Sequence, residues 1–391
     1  MPGAPVRVIG TLGTTQTLAW ASSYYLPAML ADPMARDLGV SAPTVYAAFS
    51  VAMVASALAG PWAGQAIDRH GGRIVLVGTS LLFALGLGML GTAQGLGTML
   101  GAWIVIGIAM GAGLYEAAFS SLVRLYGHQA RGAITGITLI AGFASTVGWP
   151  LSAWMETQFG WRGACLGWAA LHLLVGLPLN AWLPRASTPS KAASLEAPAD
   201  ASPAPEPRRQ GYATALLAFV FAATWFISTA MATHLPRMLE ATGATLTAAV
   251  AVGALIGPAQ VAGRLLEFGF LRQVHPLLSA RLAALAHPAG VAVLLTGGAA
   301  MAPAFAILHG AGNGILTIAK GTLPLALFGP QGYGARQGWL MMPARGAQAL
   351  APFLFGLALD AWGARALWLS GGIGLAAFGA LLALRARPAA A

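Results

Sequence analysis

The sequence predicts an all-α membrane protein with twelve transmembrane helices arranged as two related halves of six helices. Of its 391 residues, 57% are hydrophobic and only 8% are charged, whereas a soluble domain carries about 25% charged residues. Twelve apolar segments can be counted, each close to the ~20 residues that a helix needs to cross a bilayer. Short sequence matches also recur between the two halves of the chain at a nearly constant separation.

The apolar segments follow one another with short polar turns, apart from one long connection. They lie at 9–30, 44–64, 74–93, 98–123, 132–155, 163–183, 212–235, 244–267, 278–297, 301–327, 336–358 and 364–384. The connection between the sixth and seventh segments is rich in Pro, Ala and Ser and carries charges of both signs, which is typical of a flexible linker without a core. The sequence therefore predicts an N-terminal half (1–184), a cytoplasmic linker (185–211) and a C-terminal half (212–391).

Matching residues support a duplicated six-helix unit. The sequence LPAML at 26–30 ends the first segment and LPRML at 235–239 ends the seventh, 209 residues later. Glu156 and Asp360 end the fifth and eleventh segments and are 204 residues apart. Because these matches keep their order and nearly their spacing, we expect two halves related by pseudo-symmetry.

The distribution of positive charge predicts that both termini lie in the cytoplasm and that the protein spans the inner (plasma) membrane. With the N-terminus inside, fourteen of the 21 Lys and Arg residues fall at or near cytoplasmic loops and four fall outside, as the positive-inside rule requires. This alternation also argues against nucleic acid as a partner, despite the net charge of +10. One cysteine excludes an internal disulfide, and no cofactor or metal motif is present, so we expect no cofactor.

The turn between the second and third segments carries a distinctive motif. It reads GQAIDRHGGR over residues 64–73, between two long stretches without a charged residue. The pattern G-x-x-x-D-R-x-G-G-R resembles the signature of the corresponding loop in the major facilitator superfamily (MFS). The matching positions are Gly64, Asp68, Arg69, Gly71 and Arg73.

This resemblance implies a twelve-helix secondary transporter whose two halves rock about a substrate site near the bilayer midplane. It also implies that the Asp68 carboxylate helps to hold the cytoplasmic ends of the halves together when the transporter faces outward. We therefore assign the five motif residues to a cytoplasmic gate. The alternative is that Asp68 is an ordinary acid in a basic loop.

Four ionisable residues lie well inside apolar segments: Glu116, Arg264, Lys320 and Arg345. A charge at bilayer depth costs about 2.5–3.5 kcal/mol on insertion scales, so each should face a partner or a wet cavity. We expect a functional use for these residues, and structural salt bridges are the alternative.

Glu116 and Lys320 are 204 residues apart and therefore occupy equivalent places in the two halves. We expect them to pair across the central cavity when it closes. A carboxylate that alternates between a cationic partner and water changes its proton affinity, which is what proton coupling requires. Glu116 is thus a candidate proton-coupling residue, and a fixed ion pair is the alternative.

Arg345 is the leading candidate for a ligand of an anionic substrate, assisted by Lys320. It lies between Pro343 and Gly346, which loosen a membrane helix, and its planar guanidinium matches a carboxylate. Arg264 precedes Glu267 by three residues, so the two could pair on one helix face. We assign Arg264 and Glu267 to the cytoplasmic gate, with direct substrate contact of Arg264 as the alternative.

A narrower resemblance points the same way. The oxalate–formate exchangers and monocarboxylate carriers of the MFS are similar in using a basic residue on helix eight, and the exchangers use another on helix eleven. Arg264 and Arg345 stand on those helices in this sequence. The resemblance implies a small carboxylate as substrate.

Neutral polar and aromatic residues complete the predicted cavity, although aromatic residues in membrane helices more often serve packing. His309 is a second candidate proton carrier. The further substrate-binding candidates are Gln16, Trp20, Tyr24, Tyr115, Trp225 and Asn313.

The function that these observations predict is secondary transport of a small organic anion by a monomer in the lipid bilayer, with proton coupling or exchange. The alternative is an MFS efflux pump for neutral or lipophilic compounds. A non-transporting sensor would need an output domain for which we find no segment, and no catalytic constellation indicates an enzyme.

Overall fold

The computed structural model describes residues 5–185 and 207–384, which are helical nearly throughout and contain no strand. The α-helices of these residues are α1 (Val6–Ser22), α2 (Pro27–Leu38), α3 (Ala42–His70), α4 (Gly72–Gly91), α5 (Leu96–Gly113), α6 (Tyr115–Tyr126), α7 (Ala130–Ala141), α8 (Ala144–Leu171), α9 (Leu177–Ala181), α10 (Pro207–Ala241), α11 (Leu246–Gly253), α12 (Ile256–Gly269), α13 (Pro276–Gly297), α14 (Ala302–Phe328), α15 (Tyr333–Trp362) and α16 (Ala366–Ala383).

Several predicted segments are broken into two helices. The fourth segment is interrupted at Leu114, whose extended backbone separates α5 from α6. The fifth segment is interrupted between α7 and α8, and α8 itself changes direction at Gly160, whose φ of 68° is accessible to glycine. The sixth segment contains a π-helical stretch, His172–Gly176, before α9. These interruptions expose backbone groups inside the protein that continuous helices would use internally.

Seven helical stretches of the described residues are long and apolar enough to cross a membrane. Three of them, Leu96–Ala181, Pro276–Phe328 and Tyr333–Ala383, contain 86, 53 and 51 residues, which is more than one crossing requires. They contain the predicted segments four to six, nine and ten, and eleven and twelve. The first predicted segment is divided between α1 and α2, and the number of twelve crossings stays a prediction.

The first helix of the C-terminal half starts within the predicted linker. α10 begins at Pro207, five residues before the predicted boundary at 212. The predicted linker residues from 186 to 206 lie outside the described part of the chain.

Glycines set the distance between neighbouring helices in the same way in both halves. A methyl group on Gly107 or Gly111 of α5 would overlap backbone oxygens of α3. A methyl group on Gly310 or Gly314 of α14 would likewise overlap backbone oxygens of α12. Small residues allow membrane helices to approach this closely, and the repetition of the contact follows the predicted pseudo-symmetry.

A third glycine contact joins the two halves. Gly60 and Gly64 of α3 lie against Gly338 and Gly334 of α15, where a methyl group added at Gly64, Gly334 or Gly338 would overlap the opposite backbone. The two halves are therefore in direct backbone contact along this helix pair.

Candidate functional site

A buried ion pair joins the two halves at the centre of the protein. Arg345 Nη2 on α15 donates to Glu116 Oε2 on α6 at 2.9 Å. Their side chains are 3% and 14% exposed. Glu116 reaches this place because the break at Leu114 starts a new helix at Tyr115, with Glu116 in its first turn.

The structure corrects the predicted pairing of Glu116 with Lys320. Since α15 packs against α6, the Arg345 guanidinium takes the carboxylate. The Lys320 ammonium lies 3.7 Å from the centroid of the Trp225 ring, a cation–π contact. Lys320 is 4% exposed and makes no ion pair with any carboxylate of the described residues.

Aromatic side chains from both halves form one wall of this site. The rings of Trp20 and Trp225 stack across the halves at 6.3 Å and an interplanar angle of 12°. Tyr115 and Tyr24 pack against Trp20 with centroid distances of 5.0 and 5.3 Å. The structure thus brings together five predicted substrate-binding residues: Trp20, Tyr24, Tyr115, Trp225 and Lys320.

Several buried polar atoms on the same helices have no hydrogen-bond partner among the described residues. The indole nitrogens of Trp20 and Trp225, Nη1 of Arg345 and both amide atoms of Gln348 are in this group. Unpaired buried polar atoms are rare in folded proteins and call for an explanation. A ligand that accepts hydrogen bonds beside two indoles and a guanidinium would satisfy the nitrogen atoms of this group, whereas Gln348 Oε1 needs a donor.

Gln348 was missed by the sequence analysis. It lies three residues after Arg345 and is 2% exposed, so it shares a helix face with that residue. Its position three residues from a buried arginine was the available signal.

The Asp68 carboxylate connects the two halves at the side predicted to be cytoplasmic. It accepts hydrogen bonds from the backbone N–H groups of Gly334 and Ala335, at 2.9 and 2.8 Å. These groups begin α15, so the carboxylate caps the positive end of that helix. Gly64 lies against Gly334 one turn away, and the two contacts hold α3 against the start of α15.

A sequence model described as the Major Facilitator Superfamily matches residues 12–319 of the chain. The chain belongs to this superfamily. It is therefore a multi-pass membrane transporter that moves a small molecule across a lipid bilayer.

Solved structures of other MFS proteins have the same fold. The chain is similar to the proton:xylose symporter XylE bound to 6-bromo-6-deoxy-D-glucose, with 12% identity, a TM-score of 0.74 and coverage of 97% of this chain and 95% of that one. It is similar to the MFS transporter FucP in the outward conformation, with 16% identity, a TM-score of 0.70 and coverage of 96% and 97%. The human organic anion transporter MFSD10 (TETRAN) matches with 17% identity, a TM-score of 0.64 and coverage of 97% and 100%.

The other residues of the MFS loop motif stay within their own half. Gly71 ends α3 with a φ of 84°, a conformation that favours glycine. Arg73 donates to the backbone oxygen of Leu183 at 3.4 Å, and Arg69 is exposed. Of the motif residues, Asp68 and Gly64 are the two that contact the opposite half directly.

The predicted Arg264–Glu267 pair within α12 is wrong in this MFS protein. Glu267 instead forms a salt bridge of 3.2 Å with Arg131 of α7, in the other half. Arg264 Nη1 donates to the backbone oxygen of Thr138 at 3.2 Å. Both side chains face α7 because α12 packs against it, and contacts across the halves replace the contact along the helix.

The sequence analysis did not assign Arg131 to the cytoplasmic gate. Besides Glu267, it binds the backbone oxygens of Val274 and Leu271 at 2.9 and 3.3 Å. It therefore holds the end of α12 and the turn that follows it. Because Arg131 directly precedes a predicted segment, it was counted as an ordinary positive charge of a cytoplasmic loop.

Three of the predicted site residues line two pockets, each of which lies within one half. Gln16 Nε2 donates to the backbone oxygen of Gly113 at 2.7 Å and lines a polar cavity of the N-terminal half. His309 and Asn313 line a pocket of the C-terminal half. There His309 Nδ1 lies 3.0 Å from Nδ1 of His287, a partner that the sequence analysis missed.

Proposed function

We propose that this MFS protein transports a small organic anion, such as a carboxylate, by alternating access and with proton coupling. The observation that carries the proposal is the charge balance of the central site. Lys320 and Arg345 supply two cations, whereas Glu116 supplies one carboxylate. A buried cation without an acidic partner is stabilised when an anion binds beside it.

Arg345 could exchange Glu116 for a substrate carboxylate, and this exchange would couple anion binding to proton binding. A substrate carboxylate that enters beside Lys320 competes with Glu116 for the Arg345 guanidinium, which binds carboxylates in a bidentate manner. Glu116 then loses its cationic partner and becomes the natural acceptor of a proton. Proton binding and anion binding would thereby favour each other, which is the coupling that an anion symporter needs.

The contacts around Asp68 support an outward-facing or occluded state for this conformation. With the Asp68 side in the cytoplasm, as the charge distribution predicts, the Asp68–α15 and Arg131–Glu267 contacts close the cytoplasmic entrance. We propose that the protein lies in the inner (plasma) membrane with both termini in the cytoplasm. We also propose that it works as a monomer.

Uptake into proteoliposomes tests the proposal. The full-length protein would be given an imposed pH gradient and a panel of radiolabelled small carboxylates and neutral compounds. Lys320→Gln and Arg345→Gln would run alongside, with Arg237→Gln as the control because its ion pair with Asp360 is exposed. We expect gradient-driven carboxylate uptake that the first two variants lose and the control keeps.

The aromatic wall favours one other function within the same fold. Stacked Trp20 and Trp225 would also suit a flat apolar compound, as in an efflux pump for neutral or lipophilic molecules. If neutral cargo moves in these vesicles and carboxylates do not, the anion proposal fails and the efflux pump replaces it.

A further inference from the structure

A polar cavity lies inside the N-terminal half, and its lining includes neither Glu116 nor Arg345. It is enclosed by α1, α4, the C-terminal end of α5 and the chain from the π-helical stretch to α9. Its space accommodates about one water-sized ligand. The polar side chains of its lining, each more than nine-tenths buried, are Thr15, Gln16, Thr79, Ser80, His172 and Asn180.

The hydroxyl groups of this cavity have already used their hydrogen atoms. The Thr79 and Ser80 hydroxyls donate to the backbone oxygen of Leu76, at 2.9 and 3.2 Å. The Thr15 hydroxyl donates to the backbone oxygen of Leu12 at 3.2 Å. Each hydroxyl oxygen therefore offers only lone pairs to a ligand.

The side-chain amides of Gln16 and Asn180 also leave their oxygen atoms free to accept. Gln16 Nε2 donates to Gly113, and Asn180 Nδ2 donates to the backbone oxygen of Leu76 at 3.2 Å and to Ser80 Oγ at 3.0 Å. Because a backbone oxygen can only accept, these contacts fix which end of each amide is nitrogen. Gln16 Oε1 and Asn180 Oδ1 are left buried without a donor among the described residues.

His172 adds another acceptor. Its Nε2 lies 2.8 Å from Ser22 Oγ, and the Ser22 hydroxyl itself donates to the backbone oxygen of Leu18 at 2.8 Å. When the Ser22 hydrogen goes to Leu18, His172 donates from Nε2 and Nδ1 is left as an acceptor. His172 also begins the π-helical stretch, a local widening that often marks a functional place.

The cavity thus presents two unpaired acceptors, Gln16 Oε1 and Asn180 Oδ1, and it lies at the negative end of a helix. α5 ends at Gly113 before the break at Leu114, and the C-terminal end of a helix carries partial negative charge. In broken membrane helices, such ends coordinate coupling cations. Divalent cations prefer carboxylates, and the cavity lining contains none.

We propose that this cavity is a binding site for a sodium ion. Its ligands would come from the side-chain oxygens of Thr15, Gln16, Thr79, Ser80 and Asn180. A bound cation would tie α1 to α4 and α9, and Gln16 would connect it to the end of α5 through its hydrogen bond to Gly113. The inference does not depend on which substrate the protein carries.

Thermal unfolding of the purified full-length protein tests this site without substrate. The only cysteine, Cys165, is buried, so its reaction with a thiol-specific fluorophore reports unfolding. A ligand that binds only the folded state raises the unfolding temperature. We expect a rise of at least about 2 °C in sodium chloride compared with choline chloride at the same concentration.

A matched pair of variants locates the effect. Thr15 and Thr224 are 209 residues apart, and each hydroxyl donates to the backbone oxygen three residues earlier at 3.2 Å. Thr15→Val should abolish the sodium-specific shift, whereas Thr224→Val in the C-terminal half should keep it. Ser80→Ala and direct binding of radioactive sodium serve if Thr15→Val does not fold.

The proposal is overturned if the wild-type protein shows no sodium-specific shift, or if the two valine variants respond alike. The cavity would then hold a single water molecule. Neither result affects the anion proposal, since the measurement contains no substrate.

Discussion

Arg345 and Glu116 form a buried ion pair between the two halves of the transporter, with 2.9 Å between Nη2 and Oε2. The pair ties α15 to the first turn of α6 at the place where the substrate is proposed to bind. Its strength therefore affects both stability and conformational exchange.

Replacing one member of the pair should be more harmful than replacing both. Arg345→Gln leaves the Glu116 carboxylate without a partner, and the loss of one member of a buried pair costs about 3 kcal/mol. The double variant Glu116→Gln/Arg345→Gln removes both charges, so we expect it to regain at least about 1 kcal/mol. Reaction of Cys165 during heating measures the unfolding temperatures. Additive effects of the two substitutions would show that the pair contributes no coupling.

Asp68→Asn should shift the protein toward a state that is open on the Asp68 side. Asparagine has one acceptor oxygen, so it can replace only one of the two carboxylate contacts with Gly334 and Ala335, and it carries no negative charge. The loss of about 1–2 kcal/mol changes a two-state equilibrium about 5–30-fold. Spin labels at His70→Cys and Gln331→Cys, in a Cys165→Ala background, report the distance between α3 and the turn before α15. A larger population of long distances is the expected result.

Asp360→Asn is the control for this experiment. Asp360 accepts a hydrogen bond from the side chain of Arg237 at 2.7 Å, but that pair is exposed and lies within the C-terminal half. We expect no change in the distance distribution between the labels. An equal shift in both variants would mean that Asp68 acts through net charge and not through its contact with α15.

The sequence pointed to Asp68, which contacts the opposite half, but it did not predict the pairing of Glu116 with Arg345. Asp68 was recognisable because its motif lies within one short loop. Its partner is the start of α15, just after a turn. The partner of Glu116 was assigned from equal spacing in the two halves, which indicates equivalent positions and not contact. Which cation meets the carboxylate depends on how α15 packs against α6, and no local pattern records that packing.

The breaks in the helices were also beyond the sequence analysis. Leu114 is an ordinary apolar residue, fully buried, and its extended backbone ends α5. The consequences for the site are large, because the break places Glu116 in a first turn and leaves the end of α5 facing the polar cavity. Gln348 was missed for a different reason: an uncharged amide gives little signal until its burial is known.

Gly334→Ala should prevent closure on the Asp68 side. A methyl group at Gly334 would overlap the backbone oxygen of Gly64 and approach the Asp68 carboxylate to 2.8 Å. The helices must therefore separate, and the labels at positions 70 and 331 should report mainly the long distance. Gly346→Ala on the same helix is the control, because its methyl group would meet nothing within 4 Å. If Gly334→Ala keeps the short distance, the α3–α15 contact is not tight enough to control closure.

His275 should make the protein less stable as the pH falls. Burial, together with the nearby Arg131 and Arg281, lowers the pKa of His275 from its usual 6.5. Since the folded state binds the proton less well than the unfolded state, stability contributed by neutral His275 is present above pH 6.5 and is lost as the pH falls below that value. The neutral ring also caps α13, because Nδ1 accepts from the N–H of Leu277 at 3.1 Å.

His275→Asn separates this effect from other titrations, because asparagine can cap a helix but cannot be protonated. We expect the unfolding temperature of the wild-type protein to fall more steeply than that of the variant between about pH 7.5 and about pH 5.5. His70, which is exposed at the end of α3, supplies the control variant His70→Asn, whose pH dependence should match the wild type. Parallel curves for the wild type and His275→Asn would show that protonation of His275 does not weaken the turn that Arg131 holds.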